Sequence, residues 1–265
     1  MVKRQGKIGL VTGASGGIGE AFAHVLAQDG YSLVLVARSE AGLNRVRGIL
    51  AGRHSASIIV IPLDLSLPGA PQALADELSA RSLRPDVVIN NAGFGLAGKA
   101  AELPVDQQSN MIDLNVRALT ELSLRCLPAM LERKSGGIIN VASVAAFMPG
   151  PNMAVYFATK AFVVSFSDAL HEELRGSGVN VMSLCPGPVE TGFQLRAGLK
   201  DAQRLSAVKL PSAASVAARG WAGFIAGERQ VIPGIANKIV AYTARGAPRR
   251  ALLPIAGRAM ARSKA

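Results

Sequence analysis

Short apolar runs alternate with helical patterns from Ile8 to Ile232, and this regular alternation leaves few folds open to the chain. Residues 8–11, 31–37, 57–61, 86–90, 137–141, 180–184 and 230–232 read as strands. The 31–37 run is rich in Leu and Val without polar interruption, as in a strand buried on both faces. Helical patterns fall at 17–28, 40–50, 70–80, 105–132, 154–175 and 211–226, between the strands. Strand–helix alternation without internal repeats predicts a parallel, doubly wound Rossmann-type sheet in three α/β/α layers. At 265 residues the chain suits one domain with a sizeable core, and no composition shift before residue 229 marks a boundary.

The turn after the first strand reads Thr12-Gly13-Ala14-Ser15-Gly16-Gly17-Ile18-Gly19. Glycines allow a backbone to turn tightly and approach a pyrophosphate, and the next helix offers free N–H groups and a partial positive charge. A Gly-rich turn is a weak signal by itself; its place between a strand and a helix gives it weight. The second strand ends in Ala37-Arg38-Ser39, where an acidic residue would bind the ribose 2′-hydroxyl of NAD. A guanidinium can pair with a 2′-phosphate, and no carboxylate at that position repels it, which favours NADP(H). The plain alternative is an exposed loop arginine.

Net charge is +11, but residues 229–265 carry eight Arg or Lys and no Asp or Glu. The rest of the chain is therefore close to neutral, which speaks against a nucleic-acid-binding body. Lys238, Arg245 and Arg249 align on one helical face of that tail, with Ile235 and Tyr242 close by and Pro248 and Pro254 expected to interrupt any long helix. Solvated or oligomer-facing charge is the favoured account, over peripheral membrane contact. Cys126 and Cys185 have no metal-type spacing, the three histidines do not cluster with them, and no metal site is expected. Residues 1–7 lack the apolar stretch of a secretory signal, and no run is long enough to span a bilayer, so a cytoplasmic protein is expected.

Further motifs follow in order. Asp64-Leu65 comes after the third strand, Asn90-Asn91-Ala92-Gly93 ends the fourth, and Asn115, Ser143, Tyr156 and Lys160 lead on to Pro186-Gly187 and Thr191. On these residues, and on the spacing Gly13-x3-Gly17-x-Gly19, the chain resembles the short-chain dehydrogenase/reductases over nearly all of residues 7–235. Residues 91–95, 111–116 and 185–193 are similar to bacterial members that look like long-chain 3-ketoacyl and 17β-hydroxysteroid reductases. The resemblance implies a catalytic domain over 1–235, with 236–265 a basic tail that is part of it or appended. It implies an NADP(H) site built from Gly13, Ser15, Gly17, Ile18, Gly19, Arg38, Asp64, Leu65, Asn91, Ala92, Gly93, Tyr156, Lys160, Pro186, Gly187, Val189 and Thr191. Asp64 and Leu65 would contact adenine, and Pro186, Gly187 and Thr191 would flank the nicotinamide. It also implies a homodimer or homotetramer through the helices at 105–132 and 154–175.

The same resemblance makes Asn115, Ser143, Tyr156 and Lys160 a catalytic tetrad, and the chemistry is consistent with it. Hydride transfer to a carbonyl builds negative charge on oxygen, which must be protonated or stabilised. A free tyrosine has a pKa of about 10, and a neighbouring cation is expected to bring it closer to neutrality. Tyr156 and Lys160, four apart, share one helix face. By resemblance, Lys160 reaches the nicotinamide ribose, Ser143 donates to the substrate oxygen, and Asn115 holds a water linking Lys160 to solvent. Each residue has an ordinary structural reading too: a turn cap, a helix polar residue, a core aromatic. The ordered set favours chemistry. Phe94, Phe147, Met148, Met153, Phe193 and Leu195, on loops at 94–96, 147–153 and 189–210, predict an apolar rim for a lipophilic ketone, aldehyde or secondary alcohol. The competing function is a non-catalytic NADP(H)-binding sensor or scaffold acting through the basic tail; loss of Tyr156 or Lys160 would be expected there, and both are present.

Overall fold

A computed structural model of the chain describes residues 6–54, 56–193, 197–198 and 210–259. The strands are β1 (Ile8–Thr12), β2 (Ser32–Ala37), β3 (Ile58–Pro62), β4 (Val87–Asn90), β5 (Gly136–Val141), β6 (Val179–Leu184) and β7 (Gln230–Val231). They pair in parallel in the order β3-β2-β1-β4-β5-β6-β7. Between them run α1 (Gly17–Gln28), α2 (Glu40–Ala51), α3 (Ala70–Ala80), α4 (Val105–Ile112), α5 (Leu119–Glu132), α6 (Ala154–Glu173) and α7 (Ala213–Ile225). The chain continues into α8 (Ile235–Gly246) and α9 (Arg249–Ala259).

Successive strand residues point to opposite faces, and the two faces have separate cores. Val11, Leu33, Leu35, Ile89, Ile139 and Leu184 pack with Phe22 and Leu26 of α1, Leu43 of α2 and Trp221 of α7. Their neighbours Leu10, Val34, Val36, Val88, Ile138 and Val181 pack with Leu74 of α3, Leu122 and Met130 of α5 and Leu170 of α6. The strand order reverses between β1 and β4, so a crevice opens beyond their C-terminal ends, where such sheets bind ligands.

Two predicted features differ from the structure. The helix expected over 105–132 is interrupted by a π-helical segment, Asp113–Ala118, which carries Asn115. Such insertions of wider turns concentrate at functional sites and leave little trace in apolar periodicity. In the tail, α8 ends before Pro248, but Pro254 lies inside α9 without ending it. Among the described residues, no helix is long and apolar enough to cross a membrane.

Candidate active site

The glycine turn is fastened to the end of β4 by a small hydrogen-bond lattice. Thr12 Oγ1 donates to the Ile89 carbonyl at 3.2 Å and accepts from the main-chain N–H groups of Asn91 and Ala92, each at 3.0 Å. Asn91 Nδ2 donates to the Thr12 carbonyl at 3.0 Å and the Gly13 carbonyl at 3.3 Å. The side chain of Asn91 is thus committed to shaping the turn. Gly13 has φ +64°, and a Cβ there would lie 2.7 Å from Asn91 Nδ2, so both backbone conformation and space require glycine.

This turn fits the pyrophosphate of a dinucleotide. No side chain caps the N-terminus of α1, and a Cβ on Gly17 would stand 3.3 Å from the Thr191 methyl, so the 191 segment lies over the turn. Glu20, in the first turn of α1, is neutralised by Arg45, whose guanidinium donates to it at 2.8 and 2.6 Å and to the Ser15 carbonyl at 3.3 Å. Arg45 went unnoticed in the sequence because nothing local distinguishes it from other exposed helix arginines. Ile18 packs partly against the core beneath the turn, and Gly19 packs on Gly13.

Arg38 projects from the end of β2 with its side chain 76% exposed, 3.8 Å from the Asp64 carboxylate. The end of β2 carries no carboxylate, and the one nearest Arg38 comes from the loop after β3. Asp64 also accepts from Ser66 N at 3.0 Å and Ser66 Oγ at 2.7 Å, which holds it in place. An exposed pair of this length contributes little, so the guanidinium remains available to a stronger anion. Leu65 buries its side chain in the core beneath.

Ser143, Tyr156 and Lys160 come together where β5 ends and α6 begins. Lys160 Nζ donates to the Val141 carbonyl at 2.7 Å and lies 5.9 Å from the Tyr156 ring centroid. Ser143 Oγ accepts from Ala145 N at 3.1 Å and donates to the Pro186 carbonyl at 3.4 Å. Both Tyr156 and Lys160 are buried, and burial governs their ionisation. Desolvation pushes Lys160 down to about 8 and Tyr156 up to about 12, with hydrogen bonding to Ser143 pulling the tyrosine back only in part. Burial thus shifts Tyr156 upward, opposite to the direction expected from a neighbouring cation.

Asn115 acts as a clamp. Its Nδ2 donates to the Phe94 carbonyl at 2.9 Å and to Thr159 Oγ1 at 3.1 Å, while its Oδ1 accepts from Phe94 N at 3.1 Å. Both amide hydrogens are spent on protein partners, so the side chain has no donor left for a relay water. Thr159 Oγ1 in turn donates to the Tyr156 carbonyl at 2.7 Å, which ties the π-helical segment, the Gly93–Phe94 loop and α6 into one unit.

Above Tyr156 the predicted rim largely assembles. Phe94, Met148, Met153 and Phe193 gather with Leu96, Met111 and Phe157 around the tyrosine. The Phe193 ring centroid lies 5.4 Å from that of Tyr156. Phe147 does not join them: it packs with the neighbouring cluster of Val163 and Cys185, and the Arg245 guanidinium covers its ring at 4.4 Å. Phe147 ends a short 3₁₀ turn, Val144–Phe147, and Met148 beyond it is extended, so these neighbours diverge to different sides, which loop position alone did not reveal. Val189 is also buried in the core rather than on the rim. Leu195 and most of 194–209 lie outside the described residues. Gly187 sits against α8, with Asn237 filling the space a Gly187 side chain would need.

A buried polar row beneath the site is also absent from the sequence reading. Asn90 Nδ2 donates to Ser123 Oγ and to Asn140 Oδ1, both at 2.9 Å, and Asn140 Nδ2 donates to Ser167 Oγ at 2.9 Å. It joins α5, β4, β5 and α6. Asn90 and Asn140 stand opposite each other in the β4–β5 register, a pairing that no local pattern discloses.

Comparison with known proteins agrees with this geometry. A family model described as short chain dehydrogenase matches residues 7–201. A Staphylococcus epidermidis protein named as an uncharacterized oxidoreductase is 35% identical over 213 residues, covering 80% of this chain and 91% of that one. Among solved structures, a short-chain dehydrogenase from Sphingobium yanoikuyae in complex with NADPH superposes with a TM-score of 0.81 at 30% identity, covering 94% of this chain and 95% of that one. A short-chain dehydrogenase/reductase from Burkholderia phymatum in complex with NAD gives a TM-score of 0.83 at 28% identity, covering 91% and 94%. The glycine turn, the buried Tyr156 and Lys160 and these relationships place the chain in the short-chain dehydrogenase family of oxidoreductases.

Proposed function

We propose that the protein is an NADP(H)-dependent reductase of a lipophilic ketone or aldehyde, acting in the cytoplasm, with Tyr156 as its proton donor. The observation that carries the proposal is the placement of Tyr156 beside Ser143 and Lys160, under an apolar rim. The turn of Gly13, Ser15, Gly17, Ile18 and Gly19 would hold the pyrophosphate; Arg38 would pair with the 2′-phosphate; Asp64 and Leu65 would lie at the adenine. Asn91, Ala92 and Gly93, with Pro186, Gly187, Val189 and Thr191, would frame the nicotinamide. When bound, the nicotinamide supplies the hydride.

The remaining chemistry falls to the chain. Ser143 donates to the carbonyl oxygen and orients it. Tyr156 gives its proton to that oxygen as negative charge develops there, a downhill transfer because an alkoxide is a far stronger base than a phenolate. Lys160 holds the cofactor ribose and stabilises the phenolate once formed. In the opposite direction the same groups act in reverse, with the Tyr156 phenolate accepting the alcohol proton beside Lys160. Phe94, Met153 and Phe193 exclude water and select an apolar substrate. Exposed Ile112, Leu124 and Phe162 on α4, α5 and α6 support self-association through those helices.

The test is NADPH consumption across a panel of aliphatic, aromatic and steroidal carbonyls, with small charged ketoacids as contrast. Apolar ketones or aldehydes are expected to turn over, and Tyr156→Phe to lower kcat by about a thousandfold. Turnover that survives Tyr156→Phe, or a preference for charged ketoacids, would sink the proposal.

A further inference from the structure

We infer that the outward face of α8 docks on an anionic lipid surface, beside the apolar rim of the active site. The inner side of α8 is small and tightly seated: Ala241 and Ala244 are buried, and Asn237 fills the space at Gly187. Its outer side carries Ile235, Ile239 and Tyr242, which are 79%, 58% and 61% exposed. Spacings of four and three put these three on one stripe of the helix. Leu253 and Ile255 of α9 are also exposed. Single exposed apolar residues are ordinary, but a helix that turns Ile235 and Ile239 to water and Ala241 and Ala244 to the protein is built for a second apolar medium.

Charge identifies that medium. Residues 229–265 carry eight Arg or Lys and no carboxylate side chain. Arg229 pairs with Asp168, and Arg245 donates to Gln230 at 2.9 Å while covering Phe147. Lys238, Arg249 and Arg250 are exposed and, among the described residues, join no ion pair. Cations flanking an aliphatic and aromatic stripe are the composition of helices that lie in an anionic bilayer interface. A second copy packed on the same face would bring these cations together with no carboxylate from this segment to answer them. A nucleic acid would answer the cations but leave Ile235 and Ile239 facing phosphate.

The position gives the docking a purpose. α8 seats on Gly187, next to the nicotinamide-flanking stretch, and a Cβ on Gly257 of α9 would stand 3.6 Å from Pro151 in the rim loop. Docking through this face would place the bilayer beside the entrance, so that a carbonyl compound dissolved in the membrane reaches Tyr156 without crossing bulk water. That last step rests on the proposed carbonyl reduction; the docking itself does not.

The test uses the full chain in vesicle flotation, with phosphatidylcholine alone or mixed with phosphatidylglycerol. Wild type is expected to float only with the anionic vesicles and to be released at about 0.5 M salt. Ile235→Glu/Ile239→Glu, and separately Lys238→Gln/Arg249→Gln/Arg250→Gln, are expected to cut the bound fraction about tenfold while leaving NADPH turnover in vesicle-free buffer unchanged. Equal recovery on both vesicle types would overturn the inference. So would full binding by the Glu pair, which would reduce the effect to charge alone, or a wild-type oligomer that the Glu pair dissociates without altering flotation. Flotation without carbonyl turnover would leave the docking standing and fail the catalytic reading instead.

Discussion

Lys160 donates from a buried ammonium to the carbonyl oxygen of Val141 at 2.7 Å, and among the described residues no carboxylate answers its charge. Burial lowers its pKa from 10.5 to about 8, so between those values the unfolded chain binds a proton that the folded chain does not. The stability linked to Lys160 is thus present above 10.5 and is lost as pH falls through 8. Lys160→Met removes this linkage. The variant is expected to melt above wild type at pH 7, with a gap that narrows by up to about 3 kcal/mol on going to pH 10.5. Tyr156, raised to about 12, has the opposite sign, with stability held below 10 and lost towards 12, but it is common to both proteins. Thermal melts from pH 7 to 10.5 check this; a gap independent of pH would refute it.

Arg38 leans on Asp64 at 3.8 Å through an exposed contact that leaves its guanidinium exchangeable. A 2′-phosphate offers more charge and bidentate geometry than that carboxylate. Arg38→Ala is expected to raise KM for NADPH by about 10- to 100-fold and to move KM for NADH by no more than about twofold. Initial rates with the two cofactors decide it. Equal losses with both would assign Arg38 to the turn's structure and remove it from cofactor choice.

The strands and the helices between them were legible to within two residues, apart from the π-helical break at 113–118, because apolar periodicity is local and each βα unit repeats it. Gly13, Ser143, Tyr156 and Lys160 were legible because chemistry restricts both residue type and order. What escaped depends on distant partners. The hydrogen bonds of Asn115 and Asn91 to Phe94, Thr159 and Thr12 join residues far apart in sequence, and no local pattern disclosed them. Burial, which spacing cannot convey, shifts Tyr156 upward, opposite to the direction expected from the nearby ammonium. Phe147 and Met148 are neighbours in sequence yet join different clusters.

Asn90 and Asn140 pair across β4 and β5 with no solvent to replace either partner. Asn90→Leu orphans the Asn140 carbonyl oxygen and removes the Ser123 contact, at a cost of about 2–4 kcal/mol. The glycine turn is held independently by Thr12 and Asn91, so NADPH affinity should change by less than about threefold. Denaturant unfolding and NADPH fluorescence titration separate the two effects. A large affinity loss with stability intact would make Asn90 part of the cofactor site rather than the scaffold.

Gly187 and Asn237 meet so closely that any Cβ at 187 would overlap the asparagine side chain, which is itself held by donation to the Pro233 carbonyl at 2.7 Å. Gly187→Ala must therefore push α8 outward or displace the 186–187 stretch that Ser143 and Val144 contact through the Pro186 carbonyl. The expected result is a stability loss of about 1–3 kcal/mol together with at least about a tenfold rise in KM for NADPH. Asn237→Ala alone loses one hydrogen bond, about 1 kcal/mol. If the overlap is the cause, the double variant recovers most of the Gly187→Ala loss, with a coupling energy of about 1 kcal/mol or more. Additive losses in that cycle would show that Gly187 is needed for its backbone alone, and that α8 does not brace the nicotinamide side of the site.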